Sequence, residues 1–374
     1  MPHRQAAQVV ADLVQALLGV PTPWGVCCWD GSEAPGPPGA PTLVVTSPRA
    51  LRRIIYSRDE LGLARAYVSG DVEVDGDLFR MLEFPDSLLA RPSLHLDRSA
   101  FRRLLGDLVR NGVLGLPVPP PPEESRLRGL RHSLRRDRAA ISHHYDVGND
   151  FYALLLGPTM VYSCAYFATP ATTLDDAQRA KLDLVCRKLD LRPGMRLLDV
   201  GCGWGSLVLH AAAASGVHAV GVTISAEQAH LARRRVKETG LDDRVEIRVQ
   251  DYREVRDGPY DAVASVGMAE HVGVLERAGF EVRDVEGLRE HYALTCRAWV
   301  ANLEAHWDDA LRVVSPARAR VWRLYLAGSA LSFERRRVGV NQILATKAAD
   351  RAGAGSWPMR RPDWSGALED HGRA

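Results

Sequence analysis

The stretch Leu197-Leu198-Asp199-Val200-Gly201-Cys202-Gly203-Trp204-Gly205 decides the fold of this chain of 374 residues. Its apolar run ends in an acid and three glycines follow at every second position, which predicts a buried strand, a tight turn and a helix start. Glycines let the backbone approach a ligand closely, and a helix N-terminus offers unpaired N–H groups. The alternative interpretation is that the glycines only allow a tight turn between strand and helix and bind no ligand. A dinucleotide fingerprint is disfavoured, because its third glycine comes three residues after the second, whereas Gly205 follows Gly203 by two.

Composition sets the broad class of the protein. The chain is 46% hydrophobic with a net charge of +2, so it can bury a large core and carries no general nucleic-acid signature. Its six cysteines form no Cys-x-x-Cys pair, so neither a metal site nor a redox motif is predicted. The first residues lack the apolar core of a signal peptide, and no apolar run is long enough to span a bilayer. We expect a cytoplasmic protein whose membrane contact is peripheral.

A proline-rich stretch at 116–125 separates two expected domains. Consecutive prolines favour extended polyproline II and cannot continue a helix. We predict a smaller α+β domain at 1–115, a linker with a basic segment at 116–139, and a catalytic domain at 140–346. Residues 347–374 lack periodicity and are predicted to be a disordered tail.

The basic segment from Arg126 to Arg138 carries six arginines and a single acid, Asp137. Near an anionic lipid surface each basic residue contributes on the order of 1 kcal/mol of attraction. A solvated helical face is the alternative interpretation. Nucleic-acid binding is not expected, because no aromatic side chains interleave the arginines.

Strands and helices alternate from Arg196 onwards, as in a parallel sheet. The four predicted strands end near Asp199, Thr223, Val249 and Val266. Ligands of such sheets bind at the carboxyl ends of the strands. An acid is expected at the end of the second strand for ribose hydroxyls, but the chain has Thr223-Ile224-Ser225-Ala226-Glu227-Gln228 there. Asp251 and Tyr252, after the third strand, are placed to reach an adenine ring.

Several stretches carry a more specific signal: His143–Tyr152, Tyr162–Phe167, Leu198–Gly205, Gly221–Gln228, Gln250–Arg253, Ser265–Gly273 and Glu290–Tyr292. Together they resemble the cyclopropane-fatty-acyl-phospholipid synthases and the related mycolic-acid and fatty-acyl methyltransferases. These enzymes are class I methyltransferases that use S-adenosylmethionine (SAM). The resemblance implies an α/β fold with a Rossmann-like class I methyltransferase sheet and a smaller N-terminal α+β domain.

The resemblance also implies roles for individual residues. The SAM-binding residues would be Tyr162, Ser163, Asp199, Gly201, Gly203, Gly205, Thr223, Gln228, Asp251 and Tyr252. Gln228 on the ribose side would account for the missing acid. Cys164, Glu270 and Tyr292 would line the reaction centre, where this family holds a bicarbonate ion.

These residue types fit the addition of one carbon to a cis double bond of a phospholipid acyl chain. Attack of the double bond on the sulfonium methyl leaves a carbocation, which needs a water-poor site with electron-rich neighbours such as tyrosine rings. A base, which bound bicarbonate can supply, then removes a proton. The product would be a cyclopropane ring or a methyl or methylene branch. The alternative to a reaction-centre role is structural for both residues. Cys164 would then be a small buried residue, and Glu270 an acid at the start of a helix.

The chain departs from the family pattern after Gly273. The family continues through a helix, a fifth central strand with a His-Thr-Ile stretch and a lipid-facing loop, whereas this chain passes directly to Val274–Val282. The bicarbonate-binding histidine of that strand has no counterpart, and neither His271 nor His291 matches its motif. Because a central strand is paired on both edges, we predict that the strand near residues 338–344 moves across to pair with the fourth strand.

The leading hypothesis is a SAM-dependent enzyme that acts on phospholipid acyl chains at the membrane surface, with a homodimer left open. The alternative is a catalytically impaired relative that binds SAM or lipid without turnover. A small-molecule methyltransferase is a third hypothesis, disfavoured by the Tyr-Ser-Cys-Ala-Tyr and Glu-His-Val-Gly stretches.

Overall fold

The computed structural model describes residues 5–18, 21–57, 60–83, 98–124, 147–267, 275 and 277–347. The chain divides into two compact units, one of residues 1–126 with 314–331 and the other of residues 127–313 with 332–374. The basic segment, residues 143–146 and the predicted tail beyond Lys347 lie outside the described residues.

The first unit surrounds a four-stranded mixed sheet with short helices. Its strands β1 to β4 are Gly25–Cys28, Glu33–Ala34, Thr42–Val45 and Val72–Asp75. The sheet order is β2-β1-β3-β4, with β1 and β3 parallel. Helices α1 to α5 are Ala6–Leu18, Arg49–Ser57, Glu60–Val68, Leu78–Leu82 and Arg98–Arg110. Trp24, Val26 and Leu51 are among its buried core residues.

The second unit contains the alternation of strands and helices. Helices α6 to α11 are Asn149–Leu156, Leu174–Lys188, Ser206–Ser215, Ala226–Glu238, Arg289–Ala305 and Trp307–Val313. Helix α12, Pro316–Glu334, contains residues of both units. Strands β5 to β10 are Arg196–Val200, His218–Thr223, Val245–Val249, Ala262–Ala264, Phe280–Gly287 and Asn341–Lys347. In the described ranges no helix is both long and apolar enough to cross a bilayer.

The central sheet has the order β7-β6-β5-β8, and its strands are all parallel. Asp199 lies beside Gly221, and Thr223 lies beside Val249, so three neighbouring strands end at one edge. The apolar faces of α8 and α9 share a buried core with the sheet. This buried parallel sheet confirms the predicted α/β class.

The predicted pairing of the strand near residues 338–344 with the fourth strand is wrong. Strand β10 pairs antiparallel with β9, from Asn341 opposite Gly287 to Lys347 opposite Phe280. Since β8 has only three residues, moving β10 there would exchange a seven-residue pairing for a much shorter one. Within the described ranges β8 has β5 as its only neighbour, and Val263 of β8 is 54% exposed.

A buried ion cluster attaches β9 to helix α7. The Nζ atom of Lys188 lies 3.0 Å from Asp284 Oδ2 and 2.6 Å from Glu286 Oε2. The Lys188 and Asp284 side chains are only 3% and 7% exposed. Because β9 and β10 form a sheet of their own, these ion pairs supply an attachment that strand pairing to the central sheet does not.

We expect Lys188→Met to destabilise the protein strongly. Methionine keeps much of the aliphatic stem but removes the ammonium from beside two carboxylates, and breaking a buried ion pair from one side costs about 3–5 kcal/mol. The measurement is the free energy of unfolding in urea. Arg179→Met is the matched control on the same helix, because the Arg179–Asp176 pair is 60% exposed on both sides and should contribute less than about 1 kcal/mol. Equal losses for the two variants would contradict the anchoring role of Lys188.

Candidate active site

The glycine-rich loop follows β5 at the carboxyl edge of the central sheet. Gly201, Gly203 and Gly205 have φ angles of 80°, 55° and 81°, a region that residues with a Cβ atom rarely adopt. The N–H groups of Gly201 and Cys202 both donate to the Val222 carbonyl, at 2.9 and 3.0 Å. These two hydrogen bonds hold the loop against β6 independently of any ligand.

The glycines around this loop have different surroundings. A Cβ atom on Gly203 would meet no heavy atom within 4 Å, which leaves an open side that a ligand can approach. A Cβ atom on Gly205 would lie 3.2 Å from the Ala232 methyl group, so Gly205 permits helix packing. Gly221 of β6 admits the loop itself, because a Cβ atom there would lie 2.9 Å from Cys202 Sγ.

Polar side chains lie at the ends of the three neighbouring strands. Thr223 and Gln228 are buried together, with Thr223 Oγ1 donating to Gln228 Oε1 at 3.0 Å. The Asp251 carboxylate, after β7, accepts from the Arg253 guanidinium at 2.9 and 2.6 Å, and the neighbouring Tyr252 is 52% exposed. Because these strands are parallel neighbours, the groups share one edge of the sheet.

Asp199 is the most buried of the predicted cofactor-binding acids, with 3% of its surface exposed. Burial raises the pKa of Asp199 to about 7, and the positive charge of Lys181 opposes that rise. The carboxyl group therefore changes charge near neutral pH, as is common for acids at functional sites.

The segment Tyr162–Phe167 belongs to no helix or strand, yet its backbone is held along its length. Its partners on α7 and α10 are as follows: the Ser163 carbonyl accepts from Gln178 Nε2 at 2.9 Å, the Ala165 N–H donates to Thr295 Oγ1 at 3.0 Å, the Tyr166 N–H donates to the Ala177 carbonyl at 2.9 Å, and the Phe167 N–H donates to His291 Nδ1 at 2.9 Å. Two helices thus replace the strand partners that this backbone lacks.

Two of the predicted reaction-centre residues, Cys164 and Tyr292, meet at the start of α10. The Cys164 Sγ–H donates to the Leu288 carbonyl at 3.6 Å, and the Tyr292 N–H donates to the same oxygen at 3.0 Å. Burial raises the pKa of the Cys164 thiol to about 12, so the group stays protonated and is no nucleophile at neutral pH. The third residue, Glu270, lies outside the described residues.

A chain of aromatic rings joins the glycine loop to Tyr292. Successive ring centroids are 4.7 Å apart for Trp204–Tyr152, 5.8 Å for Tyr152–Tyr162, 5.2 Å for Tyr162–Trp299 and 6.1 Å for Trp299–Tyr292. Through Tyr152 and Trp299, the chain connects Tyr162 and Tyr292 to the loop residue Trp204 by ring contacts.

Sequence reasoning missed several residues that build this site. Trp299, Gln178, Lys181 and Thr295 are almost fully buried there. Trp299 follows Tyr292 by two helical turns, which is a signal that both share one helix face. The polar residues gave no local signal, because their partners are distant in the chain.

We expect Thr295→Val to weaken the hold on the segment Tyr162–Phe167. Valine keeps the shape of the fully buried Thr295 but removes the acceptor for the Ala165 N–H, which costs about 1–3 kcal/mol. Urea unfolding would measure this loss, and hydrogen exchange of a peptide covering residues 160–168 should become faster. Thr295→Ser keeps the oxygen and is the control. Unchanged exchange in the valine variant would show that this hydrogen bond is dispensable.

Comparisons with known proteins add independent findings. The family model for mycolic acid cyclopropane synthetase matches residues 132–276 and 274–343. A probable fatty acid methyltransferase of Mycobacterium tuberculosis is 37% identical over 409 positions, covering 90% of this chain and 93% of that one. Because that alignment is longer than the 374 residues of this chain, it contains positions that the chain lacks.

Two further relatives match a part of the chain. The cyclopropane-fatty-acyl-phospholipid synthase of Escherichia coli K12 is 53% identical over 152 residues, which are 40% of this chain and 38% of that protein. A solved mycolic acid cyclopropane synthase complexed with SAH and CTAB is 28% identical, with a TM-score of 0.52 over 56% of this chain and 97% of that chain. With its parallel sheet and a family model that matches more than half of its length, this chain belongs to the mycolic acid cyclopropane synthetase family.

Proposed function

We propose that this chain transfers a one-carbon unit from SAM to a cis double bond of a phospholipid acyl chain. One observation carries the proposal: the segment Tyr162–Phe167 is held so that Cys164 shares the Leu288 carbonyl with the Tyr292 N–H, and a chain of aromatic rings joins Tyr292 to Trp204 of the glycine loop. The names of the relatives, fatty acid methyltransferase and cyclopropane synthase, support this choice of substrate class.

The residues at the sheet edge fit SAM. The open side of Gly203 admits a ligand close to the backbone, and the buried Thr223–Gln228 pair offers amide and hydroxyl groups for ribose. The exposed ring of Tyr252 is available to stack on adenine. SAM would supply the electrophilic methyl group. The related synthase complexed with SAH supports this assignment.

The aromatic residues would serve the acyl chain. The half-buried rings of Tyr162 and Tyr292 present electron-rich faces that stabilise positive charge developing on the lipid, while the buried Trp299 packs against both and excludes water. The protonated Cys164 thiol would line the reaction centre as a polar group. A bicarbonate ion near Cys164 and Glu270 would accept the proton, and the arginines of the basic segment would hold the protein at an anionic membrane surface.

The test is lipid analysis of a bacterial host that lacks this activity and expresses the chain. Fatty acyl esters would be separated by gas chromatography and identified by mass spectrometry. We expect new species heavier by one CH2 group, and hydrogenation, which reduces a methylene branch, would distinguish that branch from a ring. Absence of any new species, in protein that binds SAH by calorimetry, would instead favour the impaired relative.

The impaired relative is kept because of a specific observation. The family match is split at residues 274–276, and in the described ranges β8 has no neighbour beyond β5. A missing central strand would remove part of the acyl-chain cover while leaving the SAM edge of β5 to β7 in place.

Glu270→Gln should abolish turnover without weakening SAH binding. The substitution keeps the size of the side chain but removes the charge expected to orient the proton acceptor. Product formation and calorimetric SAH affinity would be measured together. Turnover equal to that of the unmodified chain would remove Glu270 from the reaction centre.

A further inference from the structure

Lys181 is a buried cation that the proposed chemistry has not used. It lies on the inner face of α7 with 3% of its surface exposed, and its Nζ donates to Ser163 Oγ at 2.8 Å. Among the described residues no carboxylate oxygen lies within the 4.0 Å ion-pair distance of this ammonium. A buried charge without a close counter-ion is costly, whereas a leucine or methionine would fill the same position on the apolar face of the helix.

The groups that face Lys181 come from both halves of the site. Asp199 of β5 and Cys164 of the segment Tyr162–Phe167 are the titratable groups close enough to influence it. Burial lowers the pKa of Lys181 to about 8, and those two groups oppose the shift. The ammonium is thus charged at neutral pH and lies between the glycine-loop strand and the reaction-centre segment.

The hydrogen bond fixes what Ser163 can do. A hydroxyl that accepts from an ammonium must direct its own hydrogen to another acceptor. The ammonium polarises this O–H, and a polarised donor bonds most strongly to an anion. Ser163 is half-buried, so its hydroxyl lies at the border of the site rather than in the core.

We propose that Lys181 is the positioning residue of an oxyanion subsite: its ammonium holds and polarises the Ser163 hydroxyl, which the resemblance already assigns to SAM, so that Ser163 donates to a carboxylate-type group. The inference rests on the proposed function, because SAM brings one such group, the carboxylate of its methionine part. A free bicarbonate ion next to Cys164 is the other source of the same chemistry. Both are planar oxyanions that one hydroxyl donor can bind.

The first experiment compares two ligands by calorimetry at pH 7 without bicarbonate. S-adenosylhomocysteine has the carboxylate, whereas 5′-methylthioadenosine lacks the amino-acid part. Loss of a charge-assisted hydrogen bond in Lys181→Met should weaken S-adenosylhomocysteine about tenfold and leave methylthioadenosine unchanged. Lys237→Met, at an exposed position of α9, is the control and should change neither affinity.

Further variants separate positioning from folding. Ser163→Ala should cause a similar selective loss, and the double variant Ser163→Ala with Lys181→Met should be no worse than either single variant. If Lys181→Met does not fold, Lys181→Gln keeps an N–H donor without the charge. In the unmodified chain, the affinity for S-adenosylhomocysteine relative to that for methylthioadenosine should fall as pH rises through about 8, because Lys181 loses its charge there. This fall should be absent in the Lys181 variants.

The outcomes distinguish the source of the anion. Selective loss of S-adenosylhomocysteine affinity assigns the subsite to the cofactor carboxylate. A second measurement is the broadening of the 13C-bicarbonate NMR line by the protein. If the Lys181 and Ser163 variants keep their S-adenosylhomocysteine affinity but lose this broadening, the subsite belongs to the free ion. Equal weakening of both nucleosides, or no change in either measurement, overturns the inference. If the unmodified chain binds neither nucleoside, the proposed function itself has failed.

Discussion

The site depends on how the backbone of the segment Tyr162–Phe167 satisfies its hydrogen bonds. This segment belongs to no strand or helix, and its N–H and C=O groups pair with residues of α7 and α10 instead. An unpaired buried backbone group costs as much as a lost hydrogen bond, so these two helices must be in place before the segment can adopt one conformation. The positions of Cys164 and Tyr162 follow from that requirement.

The cofactor edge obeys a different constraint. Parallel strands end at the same level, and the loop after β5 turns sharply because its glycines adopt positive φ angles. The Val222 carbonyl then ties the loop to β6. The glycine edge is therefore built from backbone, whereas the proposed reaction centre is built from side chains, and the aromatic chain from Trp204 to Tyr292 joins the two.

Stability and function compete in this unit. Asp199 and Lys181 are buried although burial disfavours the charged form of each, as the shifts of both pKa values indicate. By contrast, Lys188 is buried against two carboxylates and stabilises the attachment of β9. In the described part of the chain, Lys188 is thus a buried lysine with close counter-ions, whereas the buried Lys181 donates to the neutral Ser163 hydroxyl.

The sequence by itself determined the elements whose signals are local. Strands β5, β6 and β7 end at or next to the residues predicted from the sequence, and the glycines placed the loop after β5. Such signals involve residues a few positions apart, so they can be seen in one dimension. The resemblance supplied the family in the same way, because its motifs are short and contiguous.

Only the tertiary structure decided the contacts between distant residues. Thr295 and Ala165 are 130 positions apart, and Lys188 and Asp284 are 96 apart, so no periodicity connects them. The partner of β10 was equally beyond local reasoning, because β10 pairs with β9 from an earlier part of the chain, with Asn341 opposite Gly287 and Lys347 opposite Phe280. The packing of the whole unit brings these residues into contact.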